Sequence, residues 1–322
     1  MSAPVRTQRM NITYPALLAA VAPTFVVLAC GFALRRFHGL RPESDASMLT
    51  VAVNFLYPCF IADTVLNSPA LRDVRTVAIA PAIGFSLLLL CFALSAFAAK
   101  MLRLKSPHPA RTFAFSAAIP NWGYLPIPLM QQLFGTESTG VLFVHNIGLE
   151  LALWSAGIWL LSGSGSWRKV LTVPFFAILG ALALNLAHAA DWLPRIAFDS
   201  LHMLGLAAIP LSLLLTGALL ADAVVSLRDD RRPLITVAGC LVRAALLPPL
   251  FLAAAKWLPV SLDLKRVLAV QAAMPCAMVP VMLSRHFRGD TGIAVQIVLA
   301  STALGLLTIP LWLRIGFAWL GL

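Results

Sequence analysis

Charge is scarce in this 322-residue sequence. Charged residues make up 11% of the chain and hydrophobic ones 60%, whereas a soluble domain carries about 25% charged residues. Long polar stretches are missing too. The longest connections, near 35–45, 100–109, 162–171 and 222–233, are too short to form a soluble domain. Together these absences exclude an ordinary soluble protein and indicate an all-α polytopic membrane protein. The sequence also lacks GxSxG, HExxH, GxxxxGK[ST] and any clustered histidine box. Serine-hydrolase, zinc-protease and P-loop chemistry therefore have no support, and no cofactor or metal is expected. The five cysteines, Cys30, Cys59, Cys91, Cys240 and Cys276, lie in apolar runs with no CxxC pair. They read as small packing residues, not as a disulfide framework or a metal site.

Basic residues outnumber acidic ones, 24 to 13, giving a formal charge of +11. In a soluble chain that excess suggests nucleic acid. Here the basic residues sit in short loops between apolar runs, where they set topology and meet anionic lipid headgroups. The expected partner is a lipid bilayer, with no nucleic acid. The first apolar run follows "MSAPVRTQRM" and contains "VLAC" at 27–30, which gives it some features of a signal peptide. It is long enough to cross a membrane and nine further runs follow, so it reads as an uncleaved first helix.

Ten spans are expected: 14–34, 46–66, 76–99, 110–133, 139–161, 172–190, 198–221, 234–255, 266–286 and 291–317. "SGSGS" at 162–166 reads as a flexible midpoint linker. With ten spans, the side bearing both termini carries nine Lys or Arg and the opposite side fourteen, with Arg243 left inside a span. The richer side is expected to be cytoplasmic, which puts both termini outside the cell membrane.

Prolines reveal an internal repeat. Pro58 and Pro128 are 70 residues apart, and so are Pro210 and Pro280. The second proline of each pair precedes a glycine-containing polar turn, "LFGTES" or "HFRGDT". Five spans per half is an odd number, so the second half enters from the opposite side. The expected organisation is therefore two inverted five-helix repeats, 1–166 and 167–322, with broken fourth and ninth helices.

Those two helices carry the candidate site. "PNWGYLPIP" (120–128) and "PCAMVP" (275–280) hold prolines at membrane depth, where lipid cannot satisfy the backbone groups that proline frees. Paired interruptions in two halves point to a transporter's binding site, and half-helix N-termini suit an anion. The candidate substrate-binding residues are Asn121, Gly123, Pro128, Asn146, Glu150, Pro275, Cys276 and Pro280. Asn121 offers a neutral donor and acceptor. Glu150, one turn after Asn146, has several open roles: carrying a proton for coupling, contacting substrate, pairing with Arg243, or remaining a hydrogen-bonded acid. Asp63 and Asp222 lie near helix ends, within reach of water. His145 and His202 have no metal-ligand spacing and are expected to form local hydrogen bonds. Asn54 is placed to bond backbone groups freed by Pro58. Arg243 is expected to anchor an acid or a carbonyl.

Three segments in order resemble one known family. "NWGYLPIPLMQQLFG" (121–135) is similar to the fourth-helix signature of the auxin efflux carriers, within the bile/arsenite/riboflavin transporter-like superfamily. "AIPLSLLLTGALLAD" (208–222) is similar to their seventh helix, and "AAMPCAMVPVMLSRHFRGDTGIAVQIVLASTALGLLTIP" (272–310) to their ninth and tenth. The compact 5–6 loop looks like the bacterial type. The resemblance implies a scaffold of helices 1, 2, 6 and 7 and a transport unit of helices 3–5 and 8–10, with broken helices 4 and 9 crossing in the latter. It implies a carrier of small organic anions such as malate or malonate. The expected function is secondary active transport by elevator-like alternating access, with Glu150 as candidate for proton coupling and a homodimer as a further expected partner. Pro128 and Pro280 match the crossover prolines, and Asn121 matches the polar residue of the fourth helix. Glu150, four residues before Trp154, replaces a substrate-contacting glutamine of plant relatives, and the bulky Tyr124, Leu125 and Pro126 replace smaller residues. The alternative is an intramembrane enzyme acting on a lipid-linked substrate, with Ser116, Ser155 or Cys276 as nucleophile.

Overall fold

The structure, a computed structural model, describes residues 13–104, 106–163, 171–189, 193–225 and 232–322. Most of the midpoint linker lies outside them. In chain order the helices are α1 (Tyr14–Arg36), α2 (Asp45–Val51), α3 (Tyr57–Leu66), α4 (Val74–Met101), α5 (Pro107–Ala118), α6 (Pro126–Ala152), α7 (Ile158–Ser162), α8 (Val173–Leu186), α9 (Arg195–Val225), α10 (Pro233–Leu241), α11 (Pro248–Trp257), α12 (Leu262–Ala273), α13 (Val279–His286) and α14 (Thr291–Leu320). Wide π-turns at Ala52–Leu56, Leu153–Gly157 and Val242–Leu246 join α2 to α3, α6 to α7 and α10 to α11. Two of them stand just before prolines, Pro58 and Pro248. A proline has no N–H and crowds the preceding turn, and the wider turn relieves that crowding. Tyr57 N–H accordingly reaches back to the Ala52 carbonyl, and Leu247 N–H to the Val242 carbonyl.

Among the described residues, seven helical stretches are long and apolar enough to cross a bilayer: Tyr14–Arg36, Pro42–Leu66, Val74–Met101, Pro126–Ser162, Arg195–Val225, Pro233–Trp257 and Thr291–Leu320. They fall on seven of the ten expected spans. The other three are not continuous long helices. The span expected at 110–133 is divided between α5 and the start of α6, and the one at 266–286 between α12 and α13. The one at 172–190 contains α8, only 14 residues long. The stretch Pro126–Ser162 has 37 residues, which would reach about 55 Å if straight. It is kinked at Gly135, whose φ of 74° and ψ of −170° lie outside the helical region. Glycine reaches that conformation without a Cβ penalty.

Packing divides the helices into two sets. α1 lies along α9, and α3 packs on both α8 and α9. In the second set α4 packs on α5 and α6, α12 on α6, α11 and α14, and α14 on α5 and α10. Contacts of α3 with α6 and of α1 with α14 join the sets. Buried Asn185 of α8 ties the first set together by donating to the Val65, Leu66 and Ser68 carbonyls at the end of α3.

The hydrophobic effect does not hold helices together in lipid, so close backbone approach at small residues takes over. Reciprocal glycines provide it in both sets. A Cβ on Gly31 of α1 would lie 2.0 Å from the Leu214 carbonyl oxygen, and one on Gly217 of α9 2.0 Å from that of Leu28. Likewise a Cβ on Gly84 of α4 would lie 2.5 Å from the His145 oxygen, and one on Gly148 of α6 1.8 Å from that of Pro81. Gly148→Ala therefore drives α4 and α6 apart. The expected cost is about 1–3 kcal/mol, measured as a lower unfolding temperature of the detergent-purified protein. Gly180→Ala is the control: its Cβ meets nothing within 4 Å, and its unfolding temperature stays level or rises.

Candidate functional site

Proline stops and restarts both broken helices. Ile119 and Met274, at the ends of α5 and α12, each precede a proline and take extended dihedrals, φ −83° and ψ 110° for Ile119 and φ −70° and ψ 140° for Met274. A following proline disfavours the helical region in this way. Helix resumes where Pro126 opens α6 and Pro280 occupies the first turn of α13, positions that tolerate proline because the first-turn N–H groups have no helical partner. The two unwound segments then satisfy each other. Asn121 N–H donates to the Pro275 carbonyl at 2.7 Å and Ala277 N–H to the Ile119 carbonyl at 3.0 Å, an antiparallel bridge centred on Pro120 and Cys276. Cys276 N–H finds Ser301 Oγ of α14 at 3.2 Å. An unpaired backbone group at this depth costs several kcal/mol, so each broken segment depends on the other.

Side chains complete the crossing. Asn146 of α6 donates to the Trp122 carbonyl at 2.9 Å and accepts from Gln271 of α12 at 3.2 Å. Asn121 Oδ1 accepts from Gly123 N–H at 3.3 Å. Arg243, on the π-turn between α10 and α11, donates from Nε to Met274 O, from Nη2 to Gln271 O and from Nη1 to Ala118 O, at 2.9, 3.2 and 3.4 Å. Matching polar contacts hold the far ends of the broken helices. Ser138 donates to Asp263 at 2.6 Å, and Asp290 N–H donates to Thr112 Oγ1 at 2.9 Å.

Beside the crossing lies a cavity of about 460 Å³, within the range of small-molecule sites. Its polar lining includes Asn121, Trp122, Tyr124, Asn146 and Glu150 from the second helical set and Thr50, Asn54, Tyr57 and Thr216 from the first. Val53, Phe143, Ile178, Leu219 and Met282 make much of the rest apolar. Among the described residues its lining includes no Lys, Arg or His, and Glu150 is its one acid. Glu150 Oε2 is buried with no hydrogen-bond partner. Such an oxygen is costly as a carboxylate and far less so as a carboxylic acid.

This frame can be set beside known proteins. The membrane transport protein family model matches residues 16–170 and 156–313. The chain belongs to that family, the auxin efflux carriers. An uncharacterized transporter of Methanothermobacter thermautotrophicus is 27% identical over 299 residues, which cover 91% of this chain and 96% of that protein. The chain is a multi-pass membrane transport protein.

Of the residues singled out in this auxin efflux carrier sequence, Asn121, Gly123, Asn146 and Glu150 line the cavity together. Cys276 does not, but lines a water-sized hollow behind Asn121. Pro128, Pro275 and Pro280 lie outside the cavity wall, and the backbone explains why: they end or restart helices. Pro126, Pro128 and Pro280 also lack N–H groups, and the Ile127 and Val281 amides are already bonded to Gly123 O and Met278 O. The two N-termini therefore offer dipole ends more than free donors. Arg243 takes one of its two expected roles, capping carbonyls, and forms no pair with Glu150. Three expectations need correction. Both ring nitrogens of His145 are buried without a hydrogen-bond partner. Asp63 meets His202 at 2.9 Å and Asp222 meets Arg35 at 3.3 Å, so both are engaged rather than simply hydrated. The π-turn relieves the backbone before Pro58, leaving Asn54 to face the cavity. Tyr57 and Thr216 were not anticipated; the only hint was that Tyr57 adjoins Pro58. Among the enzyme candidates, Ser155 donates to the Leu151 carbonyl and Ser116 Oγ has no partner, so neither is bonded to a general base.

Asn146→Ala removes the donor to Trp122 O and the acceptor for Gln271. The expected loss is about 1–3 kcal/mol, measured as a lower unfolding temperature in detergent and a matching fall in folded yield.

Proposed function

We propose that this transporter is a secondary carrier of the cytoplasmic membrane that moves a small carboxylate by alternating access, and that it favours a monocarboxylate over malate or malonate. The observation that carries the reading is the cavity between the two helical sets, with the crossing and Glu150 on one wall. Each half-helix end carries roughly half an elementary charge. The N-terminal ends of α6 and α13 thus present about one positive charge to the cavity, enough for one carboxylate. No side-chain cation lines the cavity to meet a second, and its apolar wall suits an organic body.

Glu150 sets the proton dependence. Two like charges at about 5 Å repel by roughly 3 kcal/mol at an effective dielectric of about 20, which weakens binding by about two orders of magnitude. An ionised Glu150 opposes the anion, whereas a protonated one donates a hydrogen bond to it. Substrate and proton therefore bind together, and a proton gradient drives uptake.

The architecture that supports this reading is ten crossings in two inverted repeats, 1–166 and 167–322. Pro128 and Pro280 are 152 residues apart, as are Ser138 and Asp290, and each of the latter two bonds a residue of the opposite half, Ser138 Oγ donating to Asp263 and Asp290 N–H donating to Thr112 Oγ1. The first helical set is the scaffold and the second is the moving unit, sliding in an elevator-like manner. The cavity wall at Leu49–Tyr57, Pro174 and Met282 lies toward the start of α2, the start of α8 and the turn after α13, on the side expected to carry more basic residues. On that orientation both termini are extracytoplasmic and the cavity faces the cytoplasm.

Reconstituted into liposomes, the protein is expected to accumulate labelled phenylacetate saturably and in preference to malate or malonate. Uptake rises severalfold as the medium goes from mildly alkaline to mildly acidic. Glu150→Gln binds the substrate but loses that pH dependence and no longer concentrates it down a proton gradient. Exclusive uptake of dicarboxylates overturns the charge argument. Chemical conversion of substrate in detergent, with no compartment present, favours an intramembrane enzyme.

A further inference from the structure

Arg243 is the one arginine that the span assignment leaves at membrane depth, and it is 1% exposed. Burying a lone charge is expensive unless something compensates it. No Asp or Glu pairs with it among the described residues. Its partners are backbone carbonyls from the ends of two different helices: Ala118, the last residue of α5, and Gln271 and Met274 at the end of α12. Its guanidinium carbon also stands 5.7 Å from the centre of the Phe251 ring. Each helix C-terminus carries roughly half a negative charge, so two converging ends sum to about one. A single guanidinium balances them.

In broken-helix transporters, unwound carbonyls and half-helix C-terminal ends are the groups that coordinate sodium or protons. Here a covalently attached cation holds that place. We propose that Arg243 is the built-in counter-ion of the crossing and excludes a metal cation from it, so that this transporter runs without sodium. The inference rests on the carrier reading only for its transport consequence; the occupancy of the carbonyl site stands apart from it. Unlike a bound ion, the guanidinium cannot leave during a cycle. It neutralises the crossing permanently and adds nothing to the coupling stoichiometry, which leaves protonation of Glu150 as the energy input. Arg243 is a positioning residue. It fixes where α5 and α12 end, and through them the Asn121 and Cys276 segments, without touching the cavity.

The π-turn explains how it gets there. Val242–Leu246 makes room for Pro248 and Pro249, and the widened turn carries Arg243 on the buried side. A lysine at this position keeps the charge but lacks the planar fork that reaches three carbonyls on two helices.

The deciding measurements use the purified full chain and need no substrate. Labelled sodium is expected to show no saturable binding to the wild type. Unfolding temperatures in sodium, lithium, potassium and choline chloride at equal ionic strength are expected to coincide. Arg243→Ala opens a carbonyl-lined vacancy: it melts lower than wild type and regains part of the loss in sodium or potassium, but not in choline. Arg243→Lys falls between the two and shows no such salt specificity, a difference that a purely packing role does not produce. Saturable sodium binding to the wild type, or its selective stabilisation by sodium, overturns the proposal. So does an Arg243→Met protein that melts with the wild type. If Arg243→Ala does not fold, the wild-type binding and melting measurements still decide. Failure of the phenylacetate experiment with these results intact refutes the substrate assignment and leaves the counter-ion in place.

Discussion

Everything at the centre of this transporter depends on one constraint: a peptide group released from a helix inside a membrane must find a partner within the protein. Lipid offers none, and each unpaired N–H or carbonyl facing it costs several kcal/mol. Two helices interrupted alone would each carry that cost. Interrupted at the same depth, they meet it together, through Asn121 N–H to Pro275 O and Ala277 N–H to Ile119 O. The prolines at 120 and 275 make the breaks, and the prolines at 126 and 280 end them. The unwound segments are thus kept to a few residues each, short enough for Asn146, Gln271, Ser301 and Arg243 to serve the groups that the bridge leaves over.

The same geometry separates charge. Two C-terminal ends converge on a buried guanidinium, while the two N-terminal ends face the cavity. On the carrier reading, a neutralised negative pole and an open positive pole make the crossing a fixed anion-attracting field without a basic side chain in the cavity wall among the described residues. A side-chain cation is strongly hydrated and floppy, whereas an oriented helix end is already in place and needs no rearrangement to receive a carboxylate. Glu150 opposes that field when ionised and permits it when protonated. On the same reading, one acid sets when the site accepts an anion.

Much of this was legible in the sequence, and the unreadable parts share a cause. Apolar runs located the long helices, because membrane thickness fixes their length. Proline pairs located the two breaks, because proline acts through its own ring and the residue before it. Asn121, Asn146 and Glu150 were readable because a polar residue in an apolar run needs a reason. Arg243 was readable as an anchor for an acid or a carbonyl. Its partners are main-chain carbonyls, which any sequence supplies, so the sequence left open which ones. Tyr57 and Thr216 were hidden for another reason. They belong to the facing helical set, and only the packing of α3 against α6 and of α9 against α3 and α14 brings them to the cavity. The kink at Gly135 carried a signal, a glycine in a polar turn, that fixed a boundary to within a few residues. The shortness of α8 carried none, since its apolar run continues past the helix end.

The boundary between the two helical sets gives the last step. Within each set, reciprocal glycines bring backbones into contact, at Gly31 and Gly217 and again at Gly84 and Gly148. Such contacts are shape-specific, and sliding them by one residue drives a side chain into a carbonyl. The seam between the sets closes on Ser68 at Gly140 of α6, where Ser68 also donates to the Glu137 carbonyl, but at its centre it is built differently. There Tyr57 and Phe60 of the first set meet Phe143 of the second edge to face, with ring centres 5.8 and 5.7 Å apart. Flat apolar rings shift past one another at small cost because dispersion has little directional preference. On the carrier reading, motion follows the seam where contacts are smooth and spares the surfaces where they interlock. The bridge at Pro120 and Cys276 and the Arg243 cap all lie inside the second set, so the crossing travels intact. What changes is which groups of α3 and α9 stand opposite it. The anion site is then re-exposed by exchanging one wall of a cavity, with no backbone partner surrendered in the membrane.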